Sequence, residues 1–221
     1  VMRTQELMAA GENVIYEAAF VYDEVLVLVD ILVRDGEKWK AYEVKSSLRL
    51  SRSYYQDAAL QYYVLHGSGL PLSDFSLVHV NSDYVRNGAL ELDKFFLVVS
   101  VLKIAKEQLT SIIEKVNSHK TVLSGAQIPE VEIGEQCFSP YECDYRGQCW
   151  KHLPEGSVFE LTGVNRSEQA RLFKAGYSTT DLVPETEQIP MLARLQVSAK
   201  KSNQTIIDKE KLKAFIEPLG N

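Results

Sequence analysis

The run Val25-Leu-Val-Leu-Val-Asp30-Ile-Leu-Val33 sets one carboxylate in a segment that reads as buried on both faces. An ionised group there is costly unless a cation compensates it. Further on, Tyr42-Glu43-Val44-Lys45 puts a second carboxylate and an ammonium on one side of a strand, with Val44 facing the other layer. The break at Arg34-Asp35-Gly36-Glu37-Lys38 allows two hairpin registers. A four-residue loop pairs 34 with 39 and 30 with 43; a two-residue loop pairs 34 with 37 and 30 with 41. Both leave Asp30, Glu43 and Lys45 on one face, because strand side chains alternate. Two opposed carboxylates repel unless a divalent cation lies between them, and hard oxygen ligands suit Mg2+ or Mn2+. Lys45 would then hold a phosphate or polarise an attacking water. The plainer alternative is a surface ion pair of Glu43 with Lys45 or Lys38, which is worth little. Against it stand the aliphatic setting of Asp30 and a following helix that presents Asp57 and Gln61, four residues apart, on one face.

Cys137, Cys143 and Cys149 fall close together, and the chain has no other cysteine. An odd, clustered set suits a metal better than disulfides. Zn2+ held by the three thiols and His152 is one ligand set; three ordinary reduced cysteines is the other reading. Arg49 and Arg52, just past the Glu-x-Lys strand, would contact phosphates or else sit in a solvated loop. His66 and His79 read as structural histidines.

The elements that must position these groups are legible in outline. Residues 4–10 end a helix closed by Gly11, and residues 14–21, 25–33 and 39–44, rich in β-branched and aromatic side chains, read as a three-stranded antiparallel meander. Ser53 and Gln56 resemble a capping box ahead of a helix over 54–66, stopped by Gly67 and Gly69. Residues 75–80 read as a fourth strand, Asn87-Gly88 as a hairpin turn, and 101–116 as one long amphipathic helix. Short helices follow at 167–175, 179–183 and 208–216. Leu161-Thr-Gly163-Val and Leu172-Phe-Lys-Ala-Gly176-Tyr look like a degenerate helix-hairpin-helix without a strongly basic rim; simple helical packing is the alternative. The expected architecture is α/β: an αβββαβ core with a mixed sheet over 1–125, a cysteine-rich metal-binding segment over 126–152 held by something other than a core, and a small helical unit over 153–221.

With 221 residues, 24.9 kDa, 45% apolar and 24% charged side chains, the chain has the balance of a globular protein, which rules out collagen, disorder and a disulfide scaffold. Its longest apolar run is far short of the roughly 20 residues of a membrane span and no leader precedes it, so a soluble, cytoplasmic protein with no membrane partner is expected. A net charge of -6 argues against a histone-like coat on nucleic acid but leaves an enzyme acting on DNA open. No Gly-x4-Gly-Lys-Ser/Thr is present, so any helicase motor must be a separate protein.

Val29-Asp30, Tyr42-Glu43-Val44-Lys45-Ser46-Ser47 and Asp57-x-x-Leu60-Gln61-Tyr62-Tyr63 resemble, in order and spacing, the motifs of the PD-(D/E)XK nuclease superfamily. The likeness is to its RecB-like branch, with the CRISPR-associated exonucleases and AddB, over roughly residues 4–152. The resemblance implies a restriction-endonuclease-like core and a metal-dependent DNA nuclease, preferably an exonuclease, in repair or defence. It implies that Asp30, Glu43 and the main-chain carbonyl of Val44 bind Mg2+ or Mn2+. Lys45 would orient the water or stabilise the pentacoordinate phosphate, and Gln61 would position the site. Glu17 lies in the first strand, where many relatives carry a Glu; an edge-strand carboxylate without a role is the other reading. The Tyr that the branch places four residues after its Gln is Leu65 here, so either Tyr62 or Tyr63 stands in for DNA contact or that role is absent. The three cysteines resemble the clamp of the branch's [4Fe-4S] nucleases, with a wider gap before Cys143. A chain opening at Val1 without Met then puts the fourth cysteine upstream, in a longer bacterial parent that continues into a DnaQ-like exonuclease module. The alternative function is a catalytically idle nuclease-like scaffold that binds nucleic acid or a protein partner.

Overall fold

The three runs rich in β-branched and aromatic residues form β1 (Val14–Tyr22), β2 (Val25–Asp35) and β3 (Lys38–Lys45) in the structure, a computed structural model that describes residues 1–139 and 141–219. They make the antiparallel meander. β4 (Leu72–Val80) then joins β3 in parallel and β5 (Phe96–Ser100) joins β4 antiparallel, giving the order β1-β2-β3-β4-β5. The mixed sheet and the αβββαβ order are those the sequence predicts; the fifth strand, β5, is an addition to the four it offers.

α1 (Met2–Ala9) precedes the sheet and shields its β1 edge. The buried hydroxyl of Thr4 accepts from the Ala19 main-chain N–H at 2.9 Å, satisfying an edge donor that would otherwise invite another strand. Asp23 and Glu24 form the β1–β2 turn with φ of 48° and 61°, the left-handed pair that a two-residue hairpin requires. The Asp23 carboxylate accepts from the Tyr63 hydroxyl at 2.6 Å and from Lys120 at 2.5 Å, pinning that turn. Burial together with Asp23 pushes Tyr63 up to about 12.

α2 (Arg52–Gly67) crosses one face of the sheet. It begins at Ser51, not at a Ser53–Gln56 box: the Ser51 and Ser53 hydroxyls bond to each other and neither caps the helix. α3 (Leu92–Phe95) leads into β5, and two helices follow, α4 (Leu102–Glu107) and α5 (Leu109–Ser124), in place of one long helix. β5 itself lies in the apolar run Phe95-Phe-Leu-Val-Val-Ser-Val, which carries no period able to separate strand from helix. Gly88, with φ of +88°, belongs to the long β4–β5 loop and makes no two-residue hairpin. Val29, Leu32, Ala41, Phe75 and Leu77 pack beneath Ala58, Val64, Leu65, Ala105 and Ile112 as one core. β2 is buried on one face only, since Leu26 and Leu28 are exposed, and this corrects the reading of a strand covered on both sides.

This fold fills the first of two compact units, Val1–Ile128; the second is Pro129–Asn221. Within it lie α6 (Arg146–Trp150), α7 (Arg166–Lys174), α8 (Met191–Ser202) and α9 (Lys209–Ile216). The cysteine segment shares the core of these helices: Ile133, Trp150 and Leu153 pack on Val158, Phe159 and their neighbours. The rings of Phe138, Trp150, Phe159 and Phe173 follow one another at centroid spacings of 4.5 to 5.2 Å, and Arg166 lies 4.5 Å over Phe138. Apolar and aromatic packing therefore holds a segment that the sequence assigns to a metal staple.

Candidate active site at the parting of β2 and β3

The β2–β3 ladder runs from Asp35–Lys38 to Ile31–Tyr42 with 34 opposite 39, the first of the two registers, although the turn takes only Gly36 and Glu37. Continued, this register sets Asp30 against Glu43, but the pairing stops one residue short. The Asp30 carboxylate takes over, accepting from the Val44 N–H at 2.6 Å. On the other side, β1 pairs Tyr16 with Ile31 and Ala18 with Val29 but not Glu17 with Asp30, and Glu17 has a left-handed φ of 51°. Burial changes parity at the same point, from Val27 and Val29 to Leu32. Asp30 thus sits where both neighbouring strands release β2.

Glu43, 8% exposed, is gripped at both oxygens. Lys45 Nζ donates to its Oε1 at 2.7 Å and Gln61 Nε2 to its Oε2 at 2.8 Å. Lys45 also donates to Asp57 Oδ2 at 2.5 Å. The i,i+4 spacing on α2 is what lets Asp57 and Gln61 reach down to Lys45 and Glu43, two residues apart on β3. Burial drives the Glu43 carboxyl above the usual carboxylate range despite Lys45 and Gln61, with Asp30 adding to the rise. Burial disfavours the Lys45 ammonium, but Asp57 and Glu43 outweigh it and hold the amine above its ordinary value. Lys45 is therefore a fixed cation. Gln61 Oε1 is buried, and among the described residues no donor reaches it. Two carboxylates, Glu43 and Asp57, share the Lys45 ammonium, and Asp30, held by the Val44 N–H, adds its charge beside Glu43.

Asp30, Glu43, Lys45 and Gln61 therefore come together. Among the described residues nothing bonds or pairs with the exposed Glu17 carboxylate, though its backbone lies across from Asp30. Arg49 and Arg52 are exposed, in the loop after β3 and at the start of α2. Tyr62 is not at a surface: it is buried, stacked on His66 with centroids 5.5 Å apart, and burial raises its hydroxyl. Its position follows from α2 being enclosed by the sheet, α4 and α5, which buries Tyr62 and Tyr63 along with Leu65 and withdraws both tyrosines from a DNA-contacting role. Asp57 is legible as a polar helix position, but its bond to Lys45 needs the fold.

Cys137 is buried, Cys143 and Cys149 are half-buried, and all three are free thiols; His152 is exposed. Among the described residues, no group of three or more His, Cys, Asp or Glu side chains gathers closely enough to hold a metal ion. The thiols thus do not fit a preformed cluster or zinc site. The Asp30–Glu43 pair with the Val44 carbonyl contains only two such side chains.

No family model and no curated protein matches the chain. A solved structure described as the crystal structure of SSO0001 is similar at 11% identity and a TM-score of 0.28, over 57% of this chain and 59% of the other, so the chain spans less than two thirds of that protein. At this level the likeness carries no argument about fold or function.

Proposed function

We propose that the first unit is a Mg2+- or Mn2+-dependent DNA nuclease of the PD-(D/E)XK type, hydrolysing phosphodiesters as an exonuclease in DNA repair or defence. The observation that carries this reading is the meeting of Asp30, Glu43, Lys45 and Gln61 where β2 parts from β3. A hard divalent cation suits the chemistry of the donors, two carboxylates and the main-chain carbonyl of Val44, with the orphaned Gln61 Oε1 on the amide that bonds Glu43. When bound, such a cation supplies positive charge at the scissile phosphate and lowers the pKa of water.

The chain's own groups do the rest. Val44 N–H aims Asp30, while Gln61 and Lys45 aim Glu43. Lys45 spends two of its three N–H bonds on Asp57 and Glu43, leaving one to donate to a phosphate oxygen as charge builds there. Held protonated, it stabilises charge and takes no proton from the water. The water attacks phosphorus in line with the departing ester oxygen, inverting the centre.

Degradation of a labelled DNA strand with Mn2+ tests this. Wild type is expected to cleave, and Lys45→Ala and Asp30→Ala to lose about 100-fold or more in rate. Equal rates in all three, or no cleavage by wild type, overturn the enzymatic reading and leave the nuclease-like scaffold, which a DNA-binding measurement on the same proteins would then address.

A further inference from the structure

We infer that His79 orients the attacking water, a role that rests on the nuclease reading and adds a residue to it. β3 and β4 run parallel, so their carboxyl ends open at one edge, where the ligands of α/β sheets gather. Their register sets Glu43 beside Leu77 and Lys45 beside His79, so all four side chains point to the face that α2 covers. His79 is 7% exposed, and its Nδ1 lies 3.0 Å from the Val80 carbonyl. A carbonyl oxygen only accepts, so Nδ1 carries the hydrogen and, in the neutral ring, Nε2 carries the lone pair. Among the described residues no donor reaches Nε2, and it is not one of the sealed, unpartnered atoms, which leaves it open to solvent. Leu97, its neighbour on β5, is 41% exposed, which leaves that edge open.

The chemistry asks for such an acceptor. A water attacking phosphorus directs one lone pair at the phosphate and an O–H at a base. Lys45 offers only donors, both Glu43 oxygens are bonded and Gln61 Oε1 is sealed from solvent, while Asp30 and Asp57 each spend one oxygen on Val44 and Lys45 and keep the other. His79 Nε2 is the one nitrogen acceptor in this group, on the strand position paired with Lys45 and on the β4 side of the site, away from the carboxylates that would hold the cation. As the water oxygen bonds to phosphorus, its proton passes to Nε2 and then to solvent. The ester P–O bond breaks with its electron pair on the leaving oxygen, which solvent protonates.

Two near-isosteres separate this from a packing role. His79→Asn keeps an amide N–H where Nδ1 bonds Val80 but has nothing at Nε2; His79→Gln places an amide oxygen near Nε2 and gives up the Val80 bond. With the Asn variant shown to be folded by its thermal melt, kcat for DNA cleavage is expected to fall about 100-fold with KM unchanged, and Gln to recover part of that loss. A merely structural histidine gives the reverse order, so wild-type kcat in the Asn variant, or a Gln variant slower than Asn, overturns the role. In wild type with Mg2+, the Nε2 nitrogen resonance of His79 should also move when a phosphorothioate oligonucleotide is added; a stationary resonance overturns the role even if both variants unfold. Wild type inert toward DNA overturns the nuclease reading and this role together, whereas active wild type beside a fully active Asn variant overturns this role alone.

Discussion

Glu43 is where opposing demands meet: it lies under α2, away from water, yet must be an anion to hold a cation. Burial has raised its carboxyl, so in the metal-free protein its contribution to stability is present below the ordinary carboxylate pKa and is lost as pH rises through the raised folded value. Glu43→Gln cannot ionise and keeps a polar group between Lys45 and Gln61. In EDTA it should unfold at higher temperature than wild type, by an increment that grows as pH rises above the ordinary carboxylate range, while saturating Mn2+ reverses the order. A variant less stable than wild type at neutral pH in EDTA would mean that the Lys45 bond outweighs burial. The spacing of Asp30, Glu43 and Lys45 told in advance that they share a sheet face, and that of Asp57 and Gln61 that they share a face of the helix. It did not tell that Lys45 would be shared between Glu43 and Asp57, because period-two and i,i+4 patterns name a side of an element and not a partner.

At the scale of elements, the site depends on a kink where β1 and β2 both break step and on a helix with almost no free face. Glu17 carries the kink in a left-handed conformation that a side chain adopts at some cost. Glu17→Gly should stabilise the unit by about 0.5 to 1 kcal/mol in urea unfolding; a loss of stability would show that the glutamate side chain has a partner the backbone strain serves. Leu65 is fully buried, so Leu65→Ala should cost about 3 kcal/mol and would misplace Gln61 one turn earlier, lowering cleavage as well. The meander, α2 and β4 were legible because their periods are clean. β5, the break between α4 and α5, α8 and the burial of Tyr62 were not: an unbroken apolar run has no period, and a helix enclosed by the sheet and two other helices buries residues that its own sequence leaves ambiguous.

For the whole molecule, every residue of the candidate site belongs to Val1–Ile128, and a separate core organises Pro129–Asn221. A fragment of residues 1–128 is therefore expected to fold cooperatively and to retain Mn2+-dependent cleavage; a fragment that folds but is inert would move part of the site into the second unit. Because aromatic packing holds the cysteine segment, Cys143→Ser with Cys149→Ser should shift its melting by no more than about 1 kcal/mol, and chelators should leave the melt unchanged. A melt that collapses on chelation would instead point to a structural metal on the thiols.

Manganese binding followed by electron paramagnetic resonance goes to the heart of the account. Wild type should take up one Mn2+ per chain, and Asp30→Asn and Glu43→Gln should each abolish that uptake while remaining folded. Uptake unchanged by either substitution, or none in wild type, would contradict the claim that these two carboxylates share a divalent ion.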